Sequence, residues 1–326
     1  MFAFSLTIFW GACLLFLVQP LIARFILPWF GGGPAVWTTC MLFFQVLLLG
    51  GYAYAHFSIS RLTPRRQVIT HLCLLALAVA LLPITPGDQW KPTDGSHAAG
   101  HILLLLLACL GLPYLVLSAT GPLLQAWFSK ANPGVSPYRL YALSNIGSLL
   151  ALLIYPFVLE PQLARQAQAN WWSVGLALYA GLAGWCGYKV WMSAGADTKS
   201  VVTDDAEEAP FVTDDAEEAP SMSRKLLWFA LPACGVMLLL AITNKLCQDI
   251  AVVPFLWVLP LSLYLLSFII SFDSPRWYHR AFWLPLLAAL LGMVLYNLYQ
   301  AESHPNITPL ATLYLGTMFV ACMVCH

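Results

Sequence analysis

Six residues of this sequence combine a polar or charged side chain with an apolar neighbourhood: Gln19, Arg24, Asn145, Glu160, Lys245 and Asp249. An ionisable group at the centre of a membrane-spanning helix costs on the order of 2.5–3.5 kcal/mol on insertion scales, so each needs a partner, a route to water or a ligand. The carboxylates Glu160 and Asp249 could contact a cation. Gln19 precedes Pro20, whose missing N–H leaves a helix carbonyl without its partner. Gly31–Gly33 allow a tight turn close by. Taken together these residues describe a polar vestibule that binds a charged or polar solute. A purely structural reading competes with it. Arg24 and Lys245 would then reach the interface along their aliphatic stems, with carboxylates pairing them for folding. Lys245 and Asp249, at i,i+4, could simply pair with each other. Gln45, His71 and Asn145 either line a solute path or hydrogen-bond across helix contacts, worth about 0.6 kcal/mol each.

Other patterns carry less. Cys322-Met-Val-Cys325-His326 fits a haem-attachment string, yet it closes an apolar run whose end should face the cytoplasm. His97 and His101 at i,i+4 offer two metal ligands without a third in sequence. No Ser-His-Asp set, phosphate-binding loop or zincin string is present. The expectation is therefore no catalytic residue, no metal and no cofactor. The nine cysteines lie mostly inside apolar runs, which reads as reduced and structural.

Elements that must position these residues follow from composition. The chain has 326 residues, 60% hydrophobic and only 9% charged, against roughly 25% charged in soluble domains. Fifteen basic residues balance fifteen acidic ones, which argues against a nucleic-acid partner. A helix needs about 20 apolar residues to cross a bilayer. Ten runs qualify: 4–28, 36–57, 67–85, 101–127, 139–159, 170–192, 225–247, 252–272, 281–299 and 308–325. They are too long and too uniformly apolar for barrel strands. The fold class expected is all-α, a polytopic membrane bundle of about ten transmembrane helices. Its lipid bilayer is the first partner.

Basic residues set the orientation. Eleven of them (Arg61, Arg65, Arg66, Lys130, Arg139, Lys189, Lys199, Arg224, Lys225, Arg276 and Arg280) fall on one side, against Lys91, Arg165 and Lys245 on the other. Both termini are then cytoplasmic, and span one is an anchor rather than a cleaved signal. Arg24, Glu160 and Lys245 come to the outer ends of three spans. Trp29, Trp37, Trp171, Trp172, Trp191, Trp228 and Trp277 near span ends suit an interfacial belt.

Three regions result: a six-span bundle over 1–192, a disordered acidic linker over 193–224, and a four-span bundle over 225–326. The linker carries VTDDAEEAP twice, with eight of the fifteen acids. Small residues from Ala177 to Gly187 in span six make a helix-packing face. PAVWTTCMLFFQVLLLGGYAYAH around Trp37 weakly echoes VPFLWVLPLSLYLLSFIISF around Trp257.

Three strings are similar to the membrane region of the fused major-facilitator/spermidine-synthase family: LLFLVQPLIARFILPWFGGGPAVW (14–37), YRLYALSNIGSLLALLIYPFVLEP (138–161) and AITNKLCQDIAVVPFLWVLPLSLYLLSF (241–268). The resemblance implies an incomplete major-facilitator 6+6 arrangement, bacterial inner-membrane location, and polyamine-related chemistry. It also implies about two further spans and a soluble Rossmann-like domain, for which this sequence has no glycine-rich unit. Transferase activity of this polypeptide is accordingly not expected. Two functions remain: a transporter-like module for a small polar or cationic solute, working by rocking of two bundles, and an anchor holding a synthase-like domain or partner chain at the membrane.

Overall fold

A computed structural model describes residues 1–31, 34–92, 97–132, 135, 137–200, 221–249, 258–299 and 307–325. Among these residues there is no strand, and two compact units divide the chain, Met1–Thr203 and Asp204–His326. The tandem acidic repeat expected to form a disordered linker lies outside the described residues. Among the described residues six helical runs are long and apolar enough to cross a membrane: Phe2–Phe30, Thr38–Arg61, Ala98–Ala131, Arg139–Gln162, Met222–Leu246 and Arg280–Tyr299. Val258–Asp273 and Pro309–Cys325 are apolar but shorter. The remaining two expected spans, 67–85 and 170–192, are helical over most or all of their length.

In the first unit α1 is Phe2–Phe30, α2 Pro34–Arg61, α3 Pro64–Ala80, α4 Ala98–Ser118 and α5 Thr120–Ala131. After them come α6 (Tyr138–Ile154), a π turn (Tyr155–Leu159), the single turn α7 (Glu160–Gln162) and α8 (Arg165–Ser200). Three boundaries differ most from the expected ones. Helix α3 stops at Ala80 rather than 85, because Pro83 pushes the residue before it out of helical geometry. Helix α8 starts at Arg165 and continues to Ser200, so residues 193–200 are helical instead of linker; Ala194, Ala196 and Lys199 there are good helix formers.

Helix pairing in this unit has an internal echo. α1 packs on α6 and α8, while α4 packs on α2 and α3, and α3 meets α8. Exchanging α1, α2, α3 for α4–α5, α6, α8 carries these pairings into one another, and among the described residues the α5–α8 contact has no counterpart of similar extent in that scheme. Both halves use a glycine for the closest approach. A Cβ on Gly147 of α6 would lie 2.7 Å from the Phe9 carbonyl oxygen of α1, and one on Gly51 of α2 would lie 2.9 Å from the Leu115 carbonyl oxygen of α4. Small residues let backbones touch where apolar lipid gives helices no hydrophobic reason to associate.

Two indoles stitch α1 to α8. Trp10 Nε1 donates to the Gly175 carbonyl at 2.9 Å, and Trp172 Nε1 donates to the Leu14 carbonyl at 2.9 Å. Trp171 is exposed, whereas Trp172, expected in an interfacial belt, is 4% exposed and packed inside the unit. Since α8 begins at Arg165, Trp172 sits two turns inside the helix. Trp172→Phe should keep the packing, lose one hydrogen bond and destabilise the unit by about 1 kcal/mol, read from denaturation in detergent.

The second unit contains α9 (Met222–Asp249), α10 (Val258–Asp273), α11 (Arg280–Tyr299) and α12 (Ile307–Cys325). Helix α12 is its hub, packing on α9, α10 and α11 and burying Met318, Cys322 and Met323. By contrast α11 buries none of its residues.

Candidate functional site

The α1 helix carries the first two candidate residues on different faces. Gln19 is half-buried, and its Nε2 donates to the Tyr114 hydroxyl of α4 at 3.3 Å. Arg24, five residues on, turns toward the π turn that follows α6. There its Nε lies 3.9 Å from Glu160 Oε1, with the two side chains 33% and 27% exposed. Arg24 and Glu160, which the sequence placed at the outer ends of separate spans, are thus brought together.

The pair is loosely made. A bidentate Arg–carboxylate contact would use both forks at shorter range, yet Arg24 Nη1 and Glu160 Oε2 are buried with no hydrogen-bond partner. The Tyr155 hydroxyl is a third buried polar atom there, beside the Arg24 guanidinium and Glu160, on the π turn one turn before Glu160. Single π turns occur often at functional sites because the extra residue redirects side chains. Here Pro156 and Pro161 flank the distortion, and each removes one helical N–H.

Neighbouring polar groups close the backbone around this cluster. Pro28 cannot donate to the carbonyl of Arg24, four residues earlier. Arg165 Nη1 does so instead, at 3.2 Å, with its guanidinium 4.5 Å over the Phe25 ring. Gln168 Nε2 donates to the Leu159 and Leu163 carbonyls at 3.2 and 2.9 Å, tying the π turn to the start of α8. Its Oε1 is buried with no partner. Three helical segments therefore converge on a site with donors on Arg24 and Tyr155 and an acceptor on Glu160.

The other candidates go elsewhere. Asn145 Nδ2 donates back to the Tyr141 carbonyl of its own helix at 3.1 Å. Lys245 is half-buried near the end of α9, in the second unit. Asp249 is the last residue of α9, and its side chain lies outside the described residues. His71 is fully buried, stacked on Tyr54 and edge-on to Trp127 at 5.9 Å. His101 packs against Phe30 and Trp90. Among the described residues no group of three or more His, Cys, Asp or Glu could hold a metal. In the loop before α4, the Lys91 ammonium donates to Asp88 at 2.8 Å and holds that carboxyl below the usual range.

Tyr155, Arg165 and Gln168 join the site without having been singled out in sequence. Pro28 four residues after Arg24 is the signal for Arg165, since it marks a carbonyl in need of a donor. For Tyr155 and Gln168 no comparable signal exists. Comparison of the chain with family models, curated proteins and solved structures finds no match.

Proposed function

We propose that the chain is a transporter-like membrane module that binds a small polar solute at the Arg24–Glu160 pair. The supporting observation is a cluster of buried polar atoms: Arg24 Nη1 and Glu160 Oε2, which make no hydrogen bond, beside the Tyr155 hydroxyl. A pair kept only for folding would have used them, since an unmade buried hydrogen bond costs about 1–3 kcal/mol. A solute with both an acceptor and a donor completes Arg24 Nη1 and Glu160 Oε2. Polyamine chemistry rests on the family resemblance alone, and Arg24 beside Glu160 disfavours a bare polycation, so a zwitterion suits the pair better. Gln19, Asn145, Lys245 and Asp249 are secondary contacts in this reading. The ten-span, major-facilitator-like arrangement belongs to the same proposal, as do an inner-membrane location and cytoplasmic termini. The exchange symmetry of helix pairings in the first unit supports it, because transporters are commonly built from inverted repeats.

An anchor or assembly module for a synthase-like domain or partner chain is the second reading. The second unit favours it: the apolar window of α9 is only 6% buried and that of α11 not at all, leaving broad faces for other helices. One experiment separates the two. The purified chain is challenged with zwitterionic, cationic and anionic small solutes while its unfolding midpoint is recorded. The transporter reading expects at least one class to raise the midpoint, as a ligand at 100 times its Kd adds about 2.7 kcal/mol. If no class does so, the anchor reading replaces it.

A further inference from the structure

Two cavities flank one ridge of α8, at the end that the basic loops assign to the cytoplasm. The first, about 330 Å³, is walled by Phe4, Asn132, Trp185, Lys189 and Ser193 among others. The second, about 340 Å³, runs between α3 and α8 past Val68, Ile69, Leu72, Gly184 and Trp191. Tyr188 and Met192 line both, so they form the ridge. A cation stands on each side: Lys189 Nζ is 5.9 Å over the Trp185 ring, and the Arg65 guanidinium is 5.4 Å over the Trp191 ring. The ion pairs found among the described residues, Arg24–Glu160 and Lys91–Asp88, involve neither of these cations. Asp197, two turns beyond Lys189 on α8, has its side chain outside the described residues.

The second cavity opens for a definite reason. At Gly187 a Cβ would meet Val68 Cγ1 at 2.8 Å, so α3 and α8 pinch together there. At Gly184, one turn deeper, a Cβ would find only Leu72 Cδ2 at 3.8 Å. The groove floor is therefore a glycine surface between apolar walls, which suits a hydrocarbon chain.

We propose that this ridge binds one anionic phospholipid of the cytoplasmic leaflet. Its phosphate lies across Tyr188 and Met192 between Lys189 and Arg65, and one acyl chain occupies the groove over Gly184. Charge complementarity sets the headgroup, since basic pockets at the cytoplasmic ends of membrane helices suit anionic headgroups. Trp185 and Trp191 hold the level of the interface, as amphipathic rings do. The site is independent of the Arg24–Glu160 pair.

The test uses the full chain in detergent, with phosphatidylglycerol, phosphatidylcholine and inorganic phosphate as probes and native mass spectrometry reading bound lipid. Phosphatidylglycerol should bind in preference to phosphatidylcholine. Each charge near the surface contributes about a fivefold factor, so Lys189→Gln should weaken binding about fivefold and Lys189→Glu about thirtyfold. Gly184→Leu, which fills the groove and alters no charge, should also weaken it, while Arg276→Glu in another loop should not. If Lys189→Glu does not fold, Arg65→Gln and Lys189→Gln together carry the charge test. Equal binding of both lipids, or phosphatidylglycerol binding unchanged in the charge variants and Gly184→Leu, overturns the proposal. Displacement of the lipid by inorganic phosphate at similar concentration also overturns it, because the groove would then contribute nothing.

Discussion

Arg24→Met alone should destabilise the first unit by about 1–2 kcal/mol, and adding Glu160→Met should recover most of that loss while solute binding stays abolished. Removing one member of a buried pair strands the other charge, which costs about 3–5 kcal/mol when burial is complete. Here the side chains are 33% and 27% exposed, so water screens part of that cost. Replacing both members by apolar residues of similar length removes the stranded charge, and such exchanges are often neutral. Methionine also fills irregular space without strain. Stability and function thereby separate: a folding pair predicts that the double variant behaves as the parent throughout, and a solute site predicts a folded protein that no longer binds. Chemical denaturation of the single and double variants, run beside a binding assay, checks both halves.

Gly147→Ala and Gly51→Ala should each cost about 2–3 kcal/mol, because a new methyl group there meets backbone, and at Gly51 also the Ser118 Cβ, none of which can swing aside. At Gly147 the Cβ would lie 2.7 Å from the Phe9 carbonyl oxygen and 3.2 Å from Phe9 Cδ2, so α1 and α6 must separate. At Gly51 it would lie 2.9 Å from the Leu115 carbonyl oxygen and 3.0 Å from the Ala119 nitrogen, forcing α2 from α4. Gly181 has nothing within 4 Å of the corresponding position, and Gly181→Ala should change stability by less than about 0.5 kcal/mol. Equal effects at the three positions would mean that the close approaches do not set the packing. Thermal midpoints in one detergent decide this. Parallel losses at Gly147 and Gly51 would also fit the exchange symmetry of the two helix triplets.

The helices were legible because runs of some twenty apolar residues admit few other structures, and the approach of Arg24 to Glu160 was legible because alternating spans carry both to the same level. What escaped the sequence turned on single residues. A π turn adds one residue without altering the apolar run, so nothing in YPFVLEP announces that Tyr155 is redirected toward Arg24. Asn145 was a plausible solute contact, but a short amide inside a helix can bond its own backbone one turn earlier. Trp172 matched a belt residue only on the assumption that span six begins near 170. Once α8 starts at Arg165, the indole meets the Leu14 carbonyl instead. Arg165 counted as one basic residue in a loop, and its use at the Arg24 carbonyl depended on Pro28 in another helix.

Solute uptake into proteoliposomes, compared between the parent and Arg24→Met/Glu160→Met at equal reconstituted amounts, is the most direct measurement of whether the pair is a binding site. The solute used is whichever class raises the unfolding midpoint of the parent. The expected result is saturable uptake by the parent and leak-level uptake by the double variant, with both proteins folded to similar stability. Undiminished uptake by the double variant would contradict the assignment of Arg24 and Glu160 to the solute and leave them a packing pair.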